Sequence, residues 1–386
     1  MTFAVLEPGA TLGVMGGGQL GRMFVHAAQR MGYFTAVLDP DPDSPAGRVS
    51  HYYIQSGYLD DQGLARLADC SDAVTTEFEN VPAPALAALA LRRRVAPGAQ
   101  AVAIAQDRAS EKQHFTRCGV ACVPYAVIET PQQLAAVDAA LLPGILKTSR
   151  LGYDGKGQQR VRTREELSGA WEGLERTACV LEKMLPLAAE CSVVVACGAD
   201  GRMVHLPPQL NLHRDGILAV TEVFDGNLPG DLGRQAVAAT ESIAQGLRYV
   251  GVLCVEFFVL GDGSLVVNEM APRPHNSGHW SMDGCDVSQF ELQVRTLAGL
   301  PLTAPRQHSA TVMLNLLGDL WLQDGSEREP PWQAVLALPG THLHLYGKRS
   351  ARPGRKMGHL NVTAQTSQQA RATALAAASL LGIEPF

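Results

Sequence analysis

The sequence GVLCVEFFVLGDGSLVVNEMAP, residues 251–272, has the pattern of two β-strands joined by a tight turn. Asp-Gly is the dipeptide that a two-residue type I′ turn prefers, because both central residues need positive φ. With Asp262 and Gly263 as that turn, Gly261 pairs with Ser264, and Glu256 lies opposite Glu269. Carboxylates opposed on one face of a sheet repel one another, so we expect a cation between them.

The cation that suits this pair is one or two Mg²⁺ ions, since Mg²⁺ takes oxygen ligands and shares them with substrate phosphates. The nearest following basic residue in the sequence is Arg273. The alternative is a solvated surface hairpin with two uninvolved glutamates. Burial is favoured because the same predicted face would also carry apolar side chains: Val252, Cys254, Phe258, Val267 and Ala271.

Two further segments have features of a nucleotide site. In LKTSRLGYDGKGQQRV, residues 146–161, Lys147 ends a predicted strand and a glycine-rich loop follows. Such a loop can bring backbone N–H groups and a lysine against a polyphosphate, although an ordinary glycine-rich hairpin is the alternative. In LEKMLPLAAECSV, residues 181–193, backbone groups could bind an adenine edge and a carboxylate the ribose. The alternative there is a strand connection with surface glutamates.

The segment NEMAPRPHNSGHW, residues 268–280, places Arg273, His275 and Asn276 directly after Glu269. Its prolines prevent a regular strand, so these side chains should converge on whatever the metal holds. Arginine can stabilise an anionic acyl phosphate, and histidine or asparagine can orient a small oxyanion.

The segment YGKRSARPGRKMGH, residues 346–359, concentrates basic residues in an acidic protein. A cluster this compact fits one phosphate monoester better than a nucleic acid, which favours interleaved aromatic residues. The alternative is a solvated loop. The basic side chains are Lys348, Arg349, Arg352, Arg355 and Lys356.

The N-terminal segment LGVMGGGQLGRM, residues 12–23, is similar to a dinucleotide-binding turn. Gly16, Gly18 and Gly21 have the required spacing, and Asp39 closes the next apolar run, as in NAD-dependent oxidoreductases. Up to about residue 100, apolar strands alternate with helical patterns, which predicts a parallel sheet. Between residues 106 and 300 strands follow one another directly, which predicts antiparallel pairing and a different domain.

Composition narrows the class of protein. The 386 residues are 46% hydrophobic and can bury two or three cores. A net charge of -6 and a pI near 6.0 argue against a nucleic-acid partner. No apolar run approaches the length of a membrane span, so we expect no membrane partner and a cytoplasmic location. The eight scattered cysteines are expected to be buried free thiols and neither disulfides nor zinc ligands.

Taken together, the motifs resemble the ATP-grasp superfamily and, within it, the 5-(carboxyamino)imidazole ribonucleotide synthases of purine biosynthesis. The resemblance implies a multidomain α/β and α+β protein. It would have an N-terminal Rossmann-like domain (residues 1–107), an ATP-grasp domain (108–300, with a lid at about 122–187) and a small C-terminal domain (301–386). The motifs are GGGQLGRM, EFENVP, QDRASEK, GYDGKGQ, NLHRDGIL, NEMAPRPHNSGHW, SQFE and RPGRKMGH.

The resemblance also implies roles for individual residues. The implied ATP-binding residues are Arg108, Lys147, Gly152, Tyr153, Asp154, Gly155, Lys156, Gly157, Gln158, Glu182, Lys183, Met184, Leu185, Glu190, His213, Asn268 and Glu269. The implied metal ligands are Glu256 and Glu269, and the implied catalytic residues are Arg273, His275, Asn276 and Asp154. The implied contacts to aminoimidazole ribonucleotide are Gln19, Glu77, Tyr153, Asp154, Arg273, Lys348 and Arg355. Thr76 stands where the family usually has an aromatic residue, which weakens the assignment of Glu77.

The implied reaction uses ATP, Mg²⁺ and bicarbonate to carboxylate the exocyclic amine of 5-aminoimidazole ribonucleotide, through carboxyphosphate. A homodimer is expected, and the turn at residues 16–21 should face the ribonucleotide phosphate and bind no dinucleotide. Three alternatives stay open at this point. They are another ATP-grasp ligase, an NAD-dependent oxidoreductase and a non-catalytic phosphate-binding protein.

Overall fold

The computed structural model of the chain describes residues 4–150, 157–323 and 326–386. Within these ranges, no helix combines the length and the apolar character that crossing a bilayer requires. All eight cysteines are free thiols, five of them buried and three partly buried, as the sequence predicts.

The N-terminal part is a parallel sheet with strand order β3-β2-β1-β4-β5, which confirms the predicted alternation of strands and helices. In α1, Leu20, Met23 and Phe24 recur at helical spacing and pack against this sheet. The strands are β1 (Thr11–Met15), β2 (Phe34–Asp39), β3 (Tyr52–Gln55), β4 (Ala73–Thr76) and β5 (Arg94–Val95), and the helices are α1 (Gln19–Arg30), α2 (Asp61–Cys70) and α3 (Ala83–Ala90).

Two helices, α4 (Ala99–Ala105) and α5 (Arg108–Arg117), lead into a separate antiparallel sheet with strand order β6-β9-β7-β8. Leu146, Trp171 and Leu181 belong to the apolar core of this layer. The elements are β6 (Tyr125–Ile128), α6 (Pro131–Ala135), β7 (Gly144–Thr148), β8 (Gln158–Val161), α7 (Arg164–Gly173) and β9 (Cys179–Lys183). They fall within the range 122–187 expected for the lid, so we name this sheet the lid sheet and the sheet with its helices the lid layer.

The remaining chain builds a mostly antiparallel nine-stranded sheet, ordered β15-β14-β10-β12-β13-β16-β20-β19, with β11 on the side of β10. Strands β16, β19 and β20 lie in the expected C-terminal domain, yet β16 pairs directly with β13. The sheet is therefore continuous across the boundary expected at residue 300. The elements are β10 (Leu187–Cys197), β11 (Met203–His205), β12 (Gln209–Arg214), β13 (Ile217–Val223), α8 (Leu232–Leu247), β14 (Gly251–Leu260), β15 (Leu265–Ala271), α9 (Ser281–Gly284), α10 (Gln289–Ala298), β16 (Ala310–Leu317), β17 (Leu322–Gln323), β18 (Ser326–Glu327), α11 (Trp332–Leu336), β19 (Thr341–Leu345), β20 (Lys356–Ala364) and α12 (Ser367–Leu381).

The hairpin of β14 and β15 differs from its predicted form in two places. Leu260 pairs with Ser264 across a three-residue loop, so the predicted two-residue turn is wrong. A β-bulge at Asn268 then restores the predicted register, and Glu256 does face Glu269. Because the bulge separates Val267 from Glu269, Val267 pairs with Phe257 and lies on the face opposite to the one predicted.

Candidate active site

The glutamates lie in a cleft of about 820 Å³ between the central sheet and the lid sheet. Strands from both layers meet α5 and the loop after β15 there. The cleft therefore brings together residues that are up to 277 positions apart in the chain, Glu79 and Lys356. The sequence-predicted residues that line it are Arg108, Lys147, Gln158, Glu190, His213, Glu256, Asn268, Glu269, Arg273, His275 and Asn276.

Each of the two opposed carboxylates has one basic partner. Glu256 Oε1 lies 3.1 Å from His275 Nε2, and Glu269 Oε2 lies 3.1 Å from Arg108 Nη1. Burial and the charge of Glu269 raise the pKa of Glu256 to about 7. For Glu269, burial acts in the same direction, but the charges of Arg108 and Lys147 outweigh it and lower the pKa. The pair thus carries negative charge that a further cation would stabilise.

The oxygen atoms around this pair fit a magnesium ion. Glu256 and Glu269 supply two carboxylates, and Asn268 Oδ1, on the bulge between them in the chain, is buried without a hydrogen-bond partner. Among the described residues there is no cluster of three or more His, Cys, Asp or Glu side chains that could enclose a metal. A metal here would complete its shell with water and phosphate oxygens, as Mg²⁺ commonly does.

Lys147 reaches the cleft from β7 and is held there by a buried ion pair. Its Nζ lies 2.7 Å from Glu182 Oε2, and Lys112 Nζ lies 2.8 Å from Glu182 Oε1. Although burial raises the pKa of Glu182, the two lysines outweigh it and lower the pKa to about 2. The Glu182 side chain therefore orients a lysine, a contact that the sequence did not predict.

The segment predicted to hold adenine lies beside the described lining of the cleft. Lys183 and Met184 donate their backbone N–H groups to the Pro124 and Pro143 carbonyls. These two N–H groups are therefore committed to protein contacts. Glu182, Lys183, Met184 and Leu185 are not among the side chains that line the described cavity.

Glu190 and His213 form a second pair in the cleft, with Glu190 Oε2 2.8 Å from His213 Nδ1. Strand pairing explains this contact, because Glu190 of β10 lies opposite Asn211 of β12, two residues before His213. Burial lowers the pKa of His213, but its hydrogen bond to Glu190 and the charge of Glu256 raise it overall. The Glu190 carboxylate can accept hydrogen bonds from hydroxyl groups, with the His213 imidazole as its basic partner.

The loop after β15 contributes a cation and an unpartnered amide. Arg273 pairs through Nε with Glu79, a carboxylate of the EFENVP motif that sequence reasoning left unassigned. Both polar atoms of the Asn276 side chain are buried without a hydrogen-bond partner. Burial and the charge of Arg273 lower the pKa of His275 well below its ordinary value, so this imidazole is neutral. These groups leave room and donors for a small oxyanion.

Glu111 is another cleft residue that the sequence did not predict. Its Oε1 accepts a hydrogen bond of 2.7 Å from Met270 N, next to Glu269. Burial and the charge of Glu269 raise its pKa to about 8. The signal was its place in QDRASEK, one helical turn after Arg108.

The N-terminal turn is filled by the chain's own carboxylates. Glu77 accepts hydrogen bonds from Gly18 N (2.8 Å) and Gly21 N (2.9 Å), and Asp39 accepts one of 2.7 Å from Gly17 N. These three N–H groups are therefore committed to protein contacts. That the turn faces the ribonucleotide phosphate stays a prediction. Glu77 is committed to this turn, and Gln19 begins α1 beside it, outside the described lining of the cleft.

Two predicted substrate contacts, Lys348 and Arg355, make hydrogen bonds within the basic loop. Lys348 Nζ donates to the Lys356 carbonyl (2.6 Å), and Arg355 Nη1 donates to the Ser350 carbonyl (2.8 Å). Neither lines the described cavity, whereas Lys356 does. The loop also contacts the N-terminal domain, since Arg349 Nη1 lies 2.8 Å from Asp43 Oδ1.

The glycine-rich loop is described only at its end. Gly157, with φ of 72°, accepts a hydrogen bond from Thr148 N, and Gln158 lines the cleft. The predictions for the rest of the loop lie outside the described residues: Gly152, Tyr153, Asp154, Gly155 and Lys156.

Comparison with known proteins agrees with this arrangement. Residues 9–106 match the preATP-grasp domain of ribonucleotide synthetases, and residues 113–290 match the ATP-grasp domain. Residues 311–373 match the C-terminal domain of phosphoribosylaminoimidazole carboxylase.

Full-length relatives are similar throughout the chain. An N5-carboxyaminoimidazole ribonucleotide synthase from Brucella melitensis is 43% identical over 358 residues, 92% of this chain and 96% of the relative. The crystal structure of the synthetase from Staphylococcus aureus complexed with ADP is 36% identical, with a TM-score of 0.89 over 97% of this chain and 99% of that one.

A third structure carries both ligands. The synthase from Aspergillus clavatus, in complex with ADP and 5-aminoimidazole ribonucleotide, is 29% identical, with a TM-score of 0.87 over 97% of this chain and 99% of that one. The family and the fold predicted from the motifs are confirmed. The chain belongs to the N5-carboxyaminoimidazole ribonucleotide synthases, ligases of the ATP-grasp superfamily.

Proposed function

We propose that this chain carboxylates the exocyclic amine of 5-aminoimidazole ribonucleotide in de novo purine biosynthesis, using ATP and bicarbonate. The observation that carries the proposal is the pairing of Glu256 with Glu269 in a cleft that Lys147 enters from the lid sheet. Membership in the synthase family and the Aspergillus clavatus relative complexed with ADP and this ribonucleotide support it.

ATP would lie between the two sheets. Arg108 and Lys147 would contact its phosphates, with the glycine-rich loop of residues 152–158 above them, and residues 182–185 would hold adenine. Glu190 and His213 suit the ribose, because a carboxylate accepts from hydroxyl groups. The cationic side chains that line the described part of the cleft, Arg108 and Lys147, support the position of the phosphates.

Glu256 and Glu269, with Asn268 beside them, would hold one or two Mg²⁺ ions. When bound, Mg²⁺ supplies positive charge against the phosphate oxygens during phosphoryl transfer. Release of Glu269 from Arg108 would free this arginine for a phosphate. The opposed carboxylates and the unpartnered Asn268 oxygen support this assignment.

Bicarbonate is a poor electrophile and must first be activated. Its oxygen attacks the γ-phosphorus of ATP, which forms carboxyphosphate and releases ADP. Arg273, His275 and Asn276 would hold the bicarbonate, since they offer a cation, a neutral imidazole and an unpartnered amide. The amine then attacks the carboxyl carbon or the CO₂ that carboxyphosphate releases, and phosphate and a proton leave. A closed lid excludes water from this step.

The ribonucleotide would lie between Arg273 and the basic loop. Tyr153, Asp154, Lys348 and Arg355 were expected to contact it. The cleft positions of Glu79 and Lys356 support adding these two residues to the site. Gln19 and Glu77 were also expected to contact it, and of these two Glu77 accepts hydrogen bonds from Gly18 N and Gly21 N of the N-terminal turn.

We also propose the domain division 1–107, 108–300 and 301–386, with a lid at about 122–187, and a homodimer that works in the cytoplasm. The three matched family ranges support the division. Family membership supports the rest, and sedimentation of the purified chain would test the dimer.

ADP release by the purified protein tests the function. We expect ADP only when 5-aminoimidazole ribonucleotide and bicarbonate are both present, with carbonate-free buffer as the control. ADP release that formate or an amino acid drives would contradict the substrate and favour another ATP-grasp ligase. Saturable NADH binding without MgATP binding would contradict the whole assignment.

A further inference from the structure

The SQFE motif, residues 288–291, has no part in the proposed chemistry, yet its glutamine contacts His275 in the loop after β15. Ser288 caps the N-terminus of α10 by accepting from Glu291 N, and Gln289 is the first residue of that helix. The Gln289 side chain is fully buried. A buried amide is unfavourable unless its hydrogen-bonding groups are paired, so its partners define its purpose.

Gln289 binds the backbone of His275 on both sides. Its Oε1 accepts a hydrogen bond of 2.9 Å from His275 N, and its Nε2 donates one of 2.8 Å to His275 O. The same Nε2 lies 2.9 Å from Nδ1 of His279. Only a side chain that carries both an acceptor and a donor can make this pair of contacts.

The neighbouring residues are arranged around this amide. A Cβ atom on Gly278 would lie 2.4 Å from Gln289 Oε1, so glycine is needed for the close approach. On the ring side, His275 Nδ1 lies 2.9 Å from Ser277 Oγ, which in turn lies 2.8 Å from Ser192 Oγ of β10. With its backbone and Nδ1 held, the ring directs Nε2 towards Glu256, 3.1 Å away.

We propose that Gln289 is a positioning residue of the reaction, which holds the His275 backbone so that imidazole Nε2 faces Glu256 and the cleft. The inference rests on the proposed function, because it assumes that His275 acts on the bicarbonate or its phosphorylated product. Gln289 itself touches no substrate. Its effect should therefore appear in turnover and not in nucleotide binding.

The test compares Gln289→Met with Gln293→Met. Gln293 lies one turn later on α10, is also buried, and donates to Thr75 and Thr76 in the N-terminal domain. Both variants lose a buried amide, but only the first loses the contact with His275. We expect kcat for ribonucleotide-dependent ADP release to fall about 10- to 100-fold in Gln289→Met. Gln293→Met should stay within about twofold of wild type, and both should bind MgADP normally.

A double-variant cycle separates positioning from general damage. In a His275→Ala background, Gln289→Met should cause no further loss of kcat, because its effect passes through His275. An additional loss there, or a Gln289→Met variant as active as Gln293→Met, would overturn the inference. If Gln289→Met does not fold, Gln289→Glu keeps the acceptor and the volume and should show the same loss. Wild-type protein without ribonucleotide-dependent turnover would instead refute the proposed function.

Discussion

Replacing Glu182 with glutamine should remove about 3–5 kcal/mol from the free energy of unfolding at pH 7. The Glu182 carboxylate lies between Lys112, which is fully buried, and Lys147. Its pKa falls from an ordinary 4.5 to about 2. At about 1.4 kcal/mol for each pKa unit, that difference alone corresponds to about 3 kcal/mol. Glutamine would also leave the buried Lys112 ammonium without a counter-charge.

The assay is urea unfolding without nucleotide, with Glu172→Gln as the matched control. Glu172 pairs with Arg176 in the same lid layer, but more than half of each side chain is exposed, so its loss should cost at most about 0.5 kcal/mol. The pKa of Glu182 is lowered in the folded state, so its contribution is complete above pH 4.5 and is lost as the pH falls towards 2. The gap between wild type and Glu182→Gln should close in that range.

A loss below about 1 kcal/mol at pH 7, or one equal to that of Glu172→Gln, would refute this reasoning. Adding Lys112→Met to Glu182→Gln should recover part of the lost stability, because the unpaired ammonium is then removed as well. No recovery would mean that Lys112 is not stabilised chiefly by Glu182.

Three further outcomes are expected. Glu269→Gln should lower kcat about a thousandfold in the ADP-release assay, because about 4 kcal/mol of metal-dependent stabilisation of the transition state is lost. The control Asp262→Asn, in the loop of the same hairpin, should keep turnover. The pKa of Glu256 is about 7, so at pH 6 a proton competes with the metal for this carboxylate. MgADP should therefore bind about tenfold more tightly at pH 8 than at pH 6. Equal MgADP titration curves at the two pH values would contradict the metal role. Gly21→Ala should cost about 1–3 kcal/mol in urea unfolding, since its Cβ would lie 2.8 Å from a backbone oxygen, whereas Gly57→Ala, with open space around it, should cost little.

The pairing of Glu256 with Glu269 was predictable from sequence, but the predicted route to it was wrong. Asp-Gly indicated a two-residue turn, whereas the loop has three residues and the bulge at Asn268 compensates for the extra one. The position of a bulge depends on the other groups that hydrogen-bond to the strand. Here Val267 N donates to Ala121 O, which is far away in the chain. Local patterns contain no information about that partner.

The ion pairs of the site were harder to predict for the same reason. Glu79 and Arg273 are 194 positions apart, and nothing in either motif indicates the other. The N-terminal turn differs, because its motif GGGQLGRM does indicate a type of site, an anion bound at a helix N-terminus. Two N–H groups of this turn, those of Gly18 and Gly21, donate to the side chain of Glu77, which follows β4 in the same chain. The motifs indicated candidate groups, and the tertiary structure determined the partners of those groups.

The strand order of the central sheet limits how this enzyme can be divided or recombined. Three family ranges suggest three exchangeable units, but Val220 and its neighbours in β13 are hydrogen-bonded to Leu314 and its neighbours in β16. A chain cut between residues 300 and 310 would leave β13 as a bare apolar edge, the kind of surface on which proteins aggregate. Chimeras within the family should therefore exchange the strands of residues 187–364 as one piece, together with α12, whose apolar side chains pack against β16 and β20.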